Sequence, residues 1–209
     1  MGSEMCIRDR CRTCPQCQLG KVARHTKAPV IVIPPASRRF GSIHVDLVGP
    51  LPPSDGCRYL LTIVDRFTRW PEVIPLPDMA SNTCCQAFIR HWMPRYGIPD
   101  EVVTDRGTQF VGGSWKDLMA TLGIQTHATT AYHPQSNGLV ERMHRQLKAA
   151  IRARLTDESW MECLPLVLLG LRLAWRDGPD AAPAQMLYGT MLRLPGVGTE
   201  SRCWWSRRG

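Results

Sequence analysis

Apolar and polar positions change period along this chain, and the changes mark out its elements. Strand patterns are predicted at 42 to 48, 58 to 66 and 71 to 76, then a helix at about 82 to 97. A strand at 101 to 105, a helix at about 113 to 122 and a strand at 124 to 129 follow. Three strands and then alternating helix and strand predict an α/β protein with a mixed sheet flanked by helices. In the helix at 82 to 97, Cys85, Phe88, Ile89, Trp92 and Tyr96 fall at helical spacing, which suits a core better than a base-stacking platform. A further helix, from Asn137 to about Arg154, has two faces. Val140, Met143, Leu147 and Ile151 should pack on the sheet, while Glu141, Arg145, Lys148 and Arg152 share another stripe. Later, Trp160, Leu164, Val167, Leu168, Leu171 and Trp175 form an apolar stripe interrupted by Pro165. The proline predicts a helix starting near 164 with a separate turn before it. That stripe suits either the protein's own core or a dimer face.

Composition narrows the class. A chain of 209 residues, 44% hydrophobic, can build one substantial core and a small appendage. Its longest strongly apolar stretch, Leu164 to Leu171, is far shorter than the roughly 20 residues of a membrane span. No basic-then-apolar secretion pattern opens the chain, so an intracellular protein without a membrane partner is expected. Cys57, Cys84, Cys85 and Cys163 are accordingly read as reduced, mostly buried thiols. The net charge of +8 is unevenly placed. Residues 1 to 27 carry six Lys or Arg against two acids, and residues 137 to 154 carry five against Glu141 alone, giving +4 each and zero elsewhere. Basic clusters of this kind point to a polyanion, nucleic acid first.

Three acids supply the candidate chemistry: Asp46 in IHVDLVGP, Asp105 in VVTDRGTQF and Glu141 in HPQSNGLVERMHRQ, with thirty-five residues between the last two. Any one alone would be read as a surface acid. Together, on a strand, a strand end and a helix, they can converge and hold divalent cations such as magnesium or manganese. Two such ions can neutralise the attacking and leaving oxygens of a phosphodiester.

The words around these acids, in order, are VDLVGP, YLLTIVDRFTRWPEVIPL, GIPDEVVTDRGTQF and TTAYHPQSNGLVERMHRQLK, then WMECLPLVLLGLRLAW and APAQMLYGTMLRLPG. They closely resemble the catalytic core of retroviral and gypsy-type LTR-retrotransposon integrases over about residues 11 to 197. The resemblance implies a ribonuclease H-like, five-stranded mixed sheet flanked by helices. It matches Asp46, Asp105 and Glu141 to the family's catalytic and metal-binding triad. AYHPQSNG corresponds to its mobile active-site loop, which places Gln135 and Asn137 with Arg145, Lys148 and Arg152 as candidate DNA contacts. His133 is read as loop-structuring or DNA-contacting, and Gln109 as either a substrate neighbour or a plain loop residue. The implied activity is metal-dependent trimming of element 3′ ends and strand transfer into target DNA, using two magnesium or manganese ions. Implied partners are duplex DNA, both element ends and target, and a second copy of the chain. The implied place of action is the nucleus. A domesticated or decayed DNA-binding relative and a ribonuclease H-like nuclease without strand transfer stand as alternatives.

Proline-rich stretches suggest domain boundaries. Residues 1 to 10 look like a foreign leader, 11 to 27 like the end of an N-terminal zinc module, and 28 to 36 like a linker. The core is expected over 37 to 197, and the tail at 198 to 209 is unassigned. Cys14 and Cys17 have the spacing of a zinc half-site, without an upstream histidine pair. Cys11 or His25 could complete it, so zinc is expected only if missing ligands are supplied. The chain resembles a fragment of a longer Pol polyprotein.

Overall fold

The computed structural model describes residues 36–128, 143–150, 159–174 and 181–193. All of them fall in one compact unit, Ile33–Gly209, and the other unit, Met1–Val32, lies outside the described residues. The zinc half-site at Cys14 and Cys17, the linker up to residue 35, the loop with His133, Gln135 and Asn137, the acid Glu141, and Arg152 also lie outside them.

Five strands form one sheet in the order β3-β2-β1-β4-β5. They are β1 (Ser42–Val48), β2 (Tyr59–Asp65), β3 (Pro71–Leu76), β4 (Glu101–Thr104) and β5 (Gln125–Ala128). Strands β1 to β3 are antiparallel neighbours, whereas β4 and β5 extend the sheet in parallel with β1. This is the mixed five-stranded sheet with flanking helices that the periodicity and the resemblance pointed to.

Side chains alternate across a strand, so each strand feeds two cores. Ile43, Val45, Leu61, Ile63, Ile74 and Leu76 point to one face. They meet α1 (Ser81–Ala87), a π-turn at Phe88–Trp92, and α4 (Gly113–Thr121) through Cys84, Phe88, Trp92, Trp115 and Met119. The chain leaves the π-turn through α2 (Met93–Tyr96). Val48, Leu60, Val64 and Val73 point to the other face, where Met143 and Leu147 of the helical residues 143–150 (α5) and the stripe of α6 (Trp160–Leu173) cover them. A last helix, α7 (Pro183–Tyr188), joins Ala184 to Trp70 and Leu173.

Three expectations need correction. Ile89 is 42% exposed rather than core, because the π-turn at Phe88–Trp92 interrupts the α-helical spacing and buries Phe88 and Trp92 in its place. Gln109, read as either a substrate neighbour or a plain loop residue, does not lie in a loop. Thr108–Val111 forms a one-turn helix, α3, closed by Phe110 and Val111 amides on the Gly107 carbonyl and anchored by buried Phe110. The helix expected from about 164 begins at Trp160 and runs through Pro165. Pro165 removes one backbone hydrogen bond, a loss of about 3 kcal/mol or more in a helix interior. Burial of Trp160, Leu164, Val167, Leu168 and Leu171, each contributing roughly 1.5–3 kcal/mol, exceeds it. Trp160 also donates its indole N–H to the Pro52 carbonyl at 2.7 Å, pinning the first turn. From Trp160 to Leu171 the stripe therefore serves the protein's own core.

Candidate active site

The parallel pairing of β1 with β4 sets Val45 opposite Thr104. Asp46, inside β1, and Asp105, just past the end of β4, are the next residue on each strand, so two acids fifty-nine positions apart come together on neighbouring strands. Strand β4 stops at Thr104, which leaves Asp105 just past the ladder and exposed. Each carboxylate has one oxygen held by a main-chain amide. The Leu47 N–H donates to Asp46 Oδ1 at 2.7 Å, and the Gly107 N–H donates to Asp105 Oδ1 at 2.9 Å. The half-buried carboxamide of Gln109 folds back over Gly107.

Alternation puts Asp46 on the sheet face covered by α5, with Thr62 as its cross-strand partner. Burial pushes the Asp46 carboxyl up to about 6, with the Leu47 amide opposing, Asp105 adding to the rise and Lys148 opposing it. An anion that is costly here, next to a second carboxylate, is one that a cation would stabilise. The donor set is of the type a divalent metal takes: hard carboxylate oxygens on two neighbouring strands, each aspartate with only its Oδ1 held by a main-chain amide. No group of three or more His, Cys, Asp or Glu side chains that could hold a metal occurs among the described residues, and Glu141 lies outside them.

Two residues at the site escaped sequence reasoning. His144 Nδ1 lies 3.5 Å from Asp46 Oδ2, and its Nε2 lies 2.7 Å from the Thr62 hydroxyl. Thr62 in turn donates to the Asp46 main-chain carbonyl at 3.0 Å. Burial, then Lys148, holds the His144 imidazole down to about 4, so the ring is neutral at pH 7. Its one sequence signal was position, three residues after Glu141; Thr62 read as an ordinary interior strand residue. Arg145 and Lys148 are exposed on α5, while Met143 and Leu147 are fully buried beneath, so the two-faced reading of this helix holds where it is described. The four cysteines among the described residues stand outside any disulfide, with Cys84, Cys85 and Cys163 buried and Cys57 half-buried. No helix among the described residues is long and apolar enough to cross a membrane.

The five-stranded mixed sheet with its flanking helices has counterparts among known proteins. Residues 36–134 match the family model described as the integrase core domain. The chain is 31% identical over 174 residues to the Gag-Pol polyprotein of walleye dermal sarcoma virus, covering 82% of this chain and 10% of that protein. It is 32% identical over 189 residues to the Gag-Pol polyprotein of feline leukemia virus, covering 88% of this chain and 11% of that protein. Among solved structures, the catalytic core domain of BIV integrase superposes with a TM-score of 0.55 at 22% identity, covering 72% of this chain and 95% of that one. The chain carries an integrase core domain and belongs to that family, with the ribonuclease H-like fold of its structural neighbour. It spans about a tenth of the length of the two viral polyproteins.

Proposed function

We propose that this chain is the catalytic core of a retroelement integrase, which trims element 3′ ends and joins them to target DNA on magnesium or manganese. The observation that carries the reading is the juxtaposition of Asp46, inside β1, with Asp105, just past the end of β4. Glu141, placed by its spacing from Asp105, completes the triad in this reading. When bound between such carboxylates, divalent cations neutralise charge on the attacking and leaving oxygens of an in-line displacement at phosphorus. The chain's own part is to hold the ligands still. The Leu47 and Gly107 amides fix one oxygen of each aspartate. Lys148, close enough to act on the Asp46 charge, and Arg145 lie on the helix beside the site, where they bind the phosphate backbone. End trimming and joining are both displacements at phosphorus, so one set of ligands serves both. Gln135, Asn137 and Arg152 belong to the proposed DNA contacts by resemblance, and a second copy of the chain is the proposed partner in assembly.

The test uses duplex oligonucleotides bearing the source element's ends, with magnesium or manganese. Asp46→Asn, Asp105→Asn and Glu141→Gln should each abolish cleavage and joining while far-ultraviolet circular dichroism stays at wild type. Near wild-type turnover by any one of them removes that residue from the site. Nicks without joined products would favour a nuclease that lacks strand transfer.

A further inference from the structure

His144 has a place at the site that neither the acids nor the basic stripe explains. The Asp46 main-chain carbonyl can only accept, so the Thr62 hydroxyl, 3.0 Å away, gives its single proton to it. The same hydroxyl oxygen must then accept from the imidazole, 2.7 Å away, which puts the ring proton on Nε2. Nδ1 is left with a bare lone pair, and it faces Asp46 Oδ2 at 3.5 Å. That separation exceeds the range of about 2.7–3.2 Å for an N–H···O bond, so the two groups are not bonded to each other. Two donors bound to one cation at about 2.1 Å each stand about 3.0–3.5 Å apart. A metal-bound imidazole ordinarily donates its other N–H to a fixed oxygen, and Thr62, 1% exposed and tied to β1, is such an oxygen.

We propose that His144 Nδ1 is a nitrogen donor to the cation held by Asp46, and that this donor biases the site toward first-row transition dications over magnesium. Imidazole adds little for magnesium, which prefers oxygen, and more for the transition ions. Thr62 acts through His144 as a positioning residue, fixing the tautomer and the ring plane. The inference rests on the reading of Asp46 as a metal ligand.

The experiment titrates the metal-free full chain with manganese, following the free ion by electron paramagnetic resonance, and repeats the titration in competition with magnesium. The wild-type protein should bind manganese in preference to magnesium, and pulsed spectra of the bound ion should show coupling to a nitrogen nucleus. His144→Asn should lose that coupling and weaken manganese binding about 10-fold or more, with a smaller change for magnesium. Thr62→Val should weaken manganese binding with the coupling retained. The wild-type spectrum needs no variant, so misfolding of a mutant does not shield the idea. Absence of nitrogen coupling in wild type, or coupling and a manganese-to-magnesium ratio unchanged in His144→Asn, overturns it. Asp46→Asn separates the two readings. If it binds manganese as wild type does, the assignment of Asp46 fails and takes this inference with it. If it loses the ion while His144→Asn changes nothing, the inference alone fails.

Discussion

Arg172 closes on Glu72 at 2.8 Å while its guanidinium lies 4.2 Å over the ring of Trp70, so the last turn of α6 is tied to β3 by charge and by an aromatic face together. The same guanidinium donates to the Pro71 carbonyl at 3.3 and 3.2 Å, and Glu72 also accepts from the Trp70 indole and the Tyr96 hydroxyl. Both side chains of the pair are largely buried. Removing one partner of a buried pair typically costs 3–5 kcal/mol, and Arg95, 3.7 Å from Glu72, remains to hold the loss of Arg172 to the low end of that range. Arg172→Met is expected to lower unfolding free energy by about 3 kcal/mol, measured by urea denaturation. Arg172→Lys should recover only part of it, since an ammonium lacks the planar fork that bonds and stacks at once. A loss below about 1 kcal/mol for Arg172→Met would show the network to be incidental.

The metal-free protein should be strained at Asp46. Its carboxyl, pushed up to about 6 from 3.8, makes ionisation harder in the fold than in the unfolded chain. The penalty is absent below the unfolded value, grows as pH rises through the interval and is complete above about 6. Asp46→Asn should therefore be more stable than wild type at pH 7 by about 1–3 kcal/mol, with the advantage shrinking toward pH 4. Thermal unfolding across pH in a chelator reads this. Equal melting temperatures at pH 7 would show that the carboxylate is not penalised.

His44 should work in the opposite direction. It is 6% exposed in β1, and burial first, then Arg66 and Arg69, lower its imidazole to about 3. The unfolded chain takes up a proton below about 6.5 that the fold refuses until near 3, so stability falls as pH drops through that interval. One such group contributes a slope of at most about 1.4 kcal/mol per pH unit. His44→Gln should flatten the acid limb of a stability-against-pH curve by that amount. An unaltered limb would exclude His44 as its source.

Lys148 distinguishes DNA binding from metal chemistry. Lys148→Ala should weaken binding across sequences and reduce the dependence of log affinity on log salt by about one unit, as expected for one lost phosphate contact. Glu141→Gln should lose turnover with affinity kept or slightly raised, because carboxylate and phosphate no longer repel. Binding isotherms at several salt concentrations decide this, and an unchanged slope for Lys148→Ala would leave α5's outer face merely solvated.

Much of this protein was legible without coordinates. Alternation at 42 to 48 and 71 to 76 gave strands with those bounds, and the buried positions Met143 and Leu147 followed from helical spacing. Both signals are local, since the period of a strand or helix is written into consecutive residues. Ile89, the turn of helix at Thr108–Val111 and the passage of α6 through Pro165 were not legible. In each, what a neighbouring element covers or leaves open outweighs local preference.

For the proposed site, residue types and spacing together with the family resemblance nominated Asp46, Asp105 and Glu141. They could not show which neighbours touch them. The register that sets Asp46 beside Asp105, and the crossing of α5 that brings His144 between Thr62 and Asp46, join residues fifty-nine, eighty-two and ninety-eight positions apart. Contacts at such separations depend on how sheet and helices pack, and only the tertiary structure holds that information.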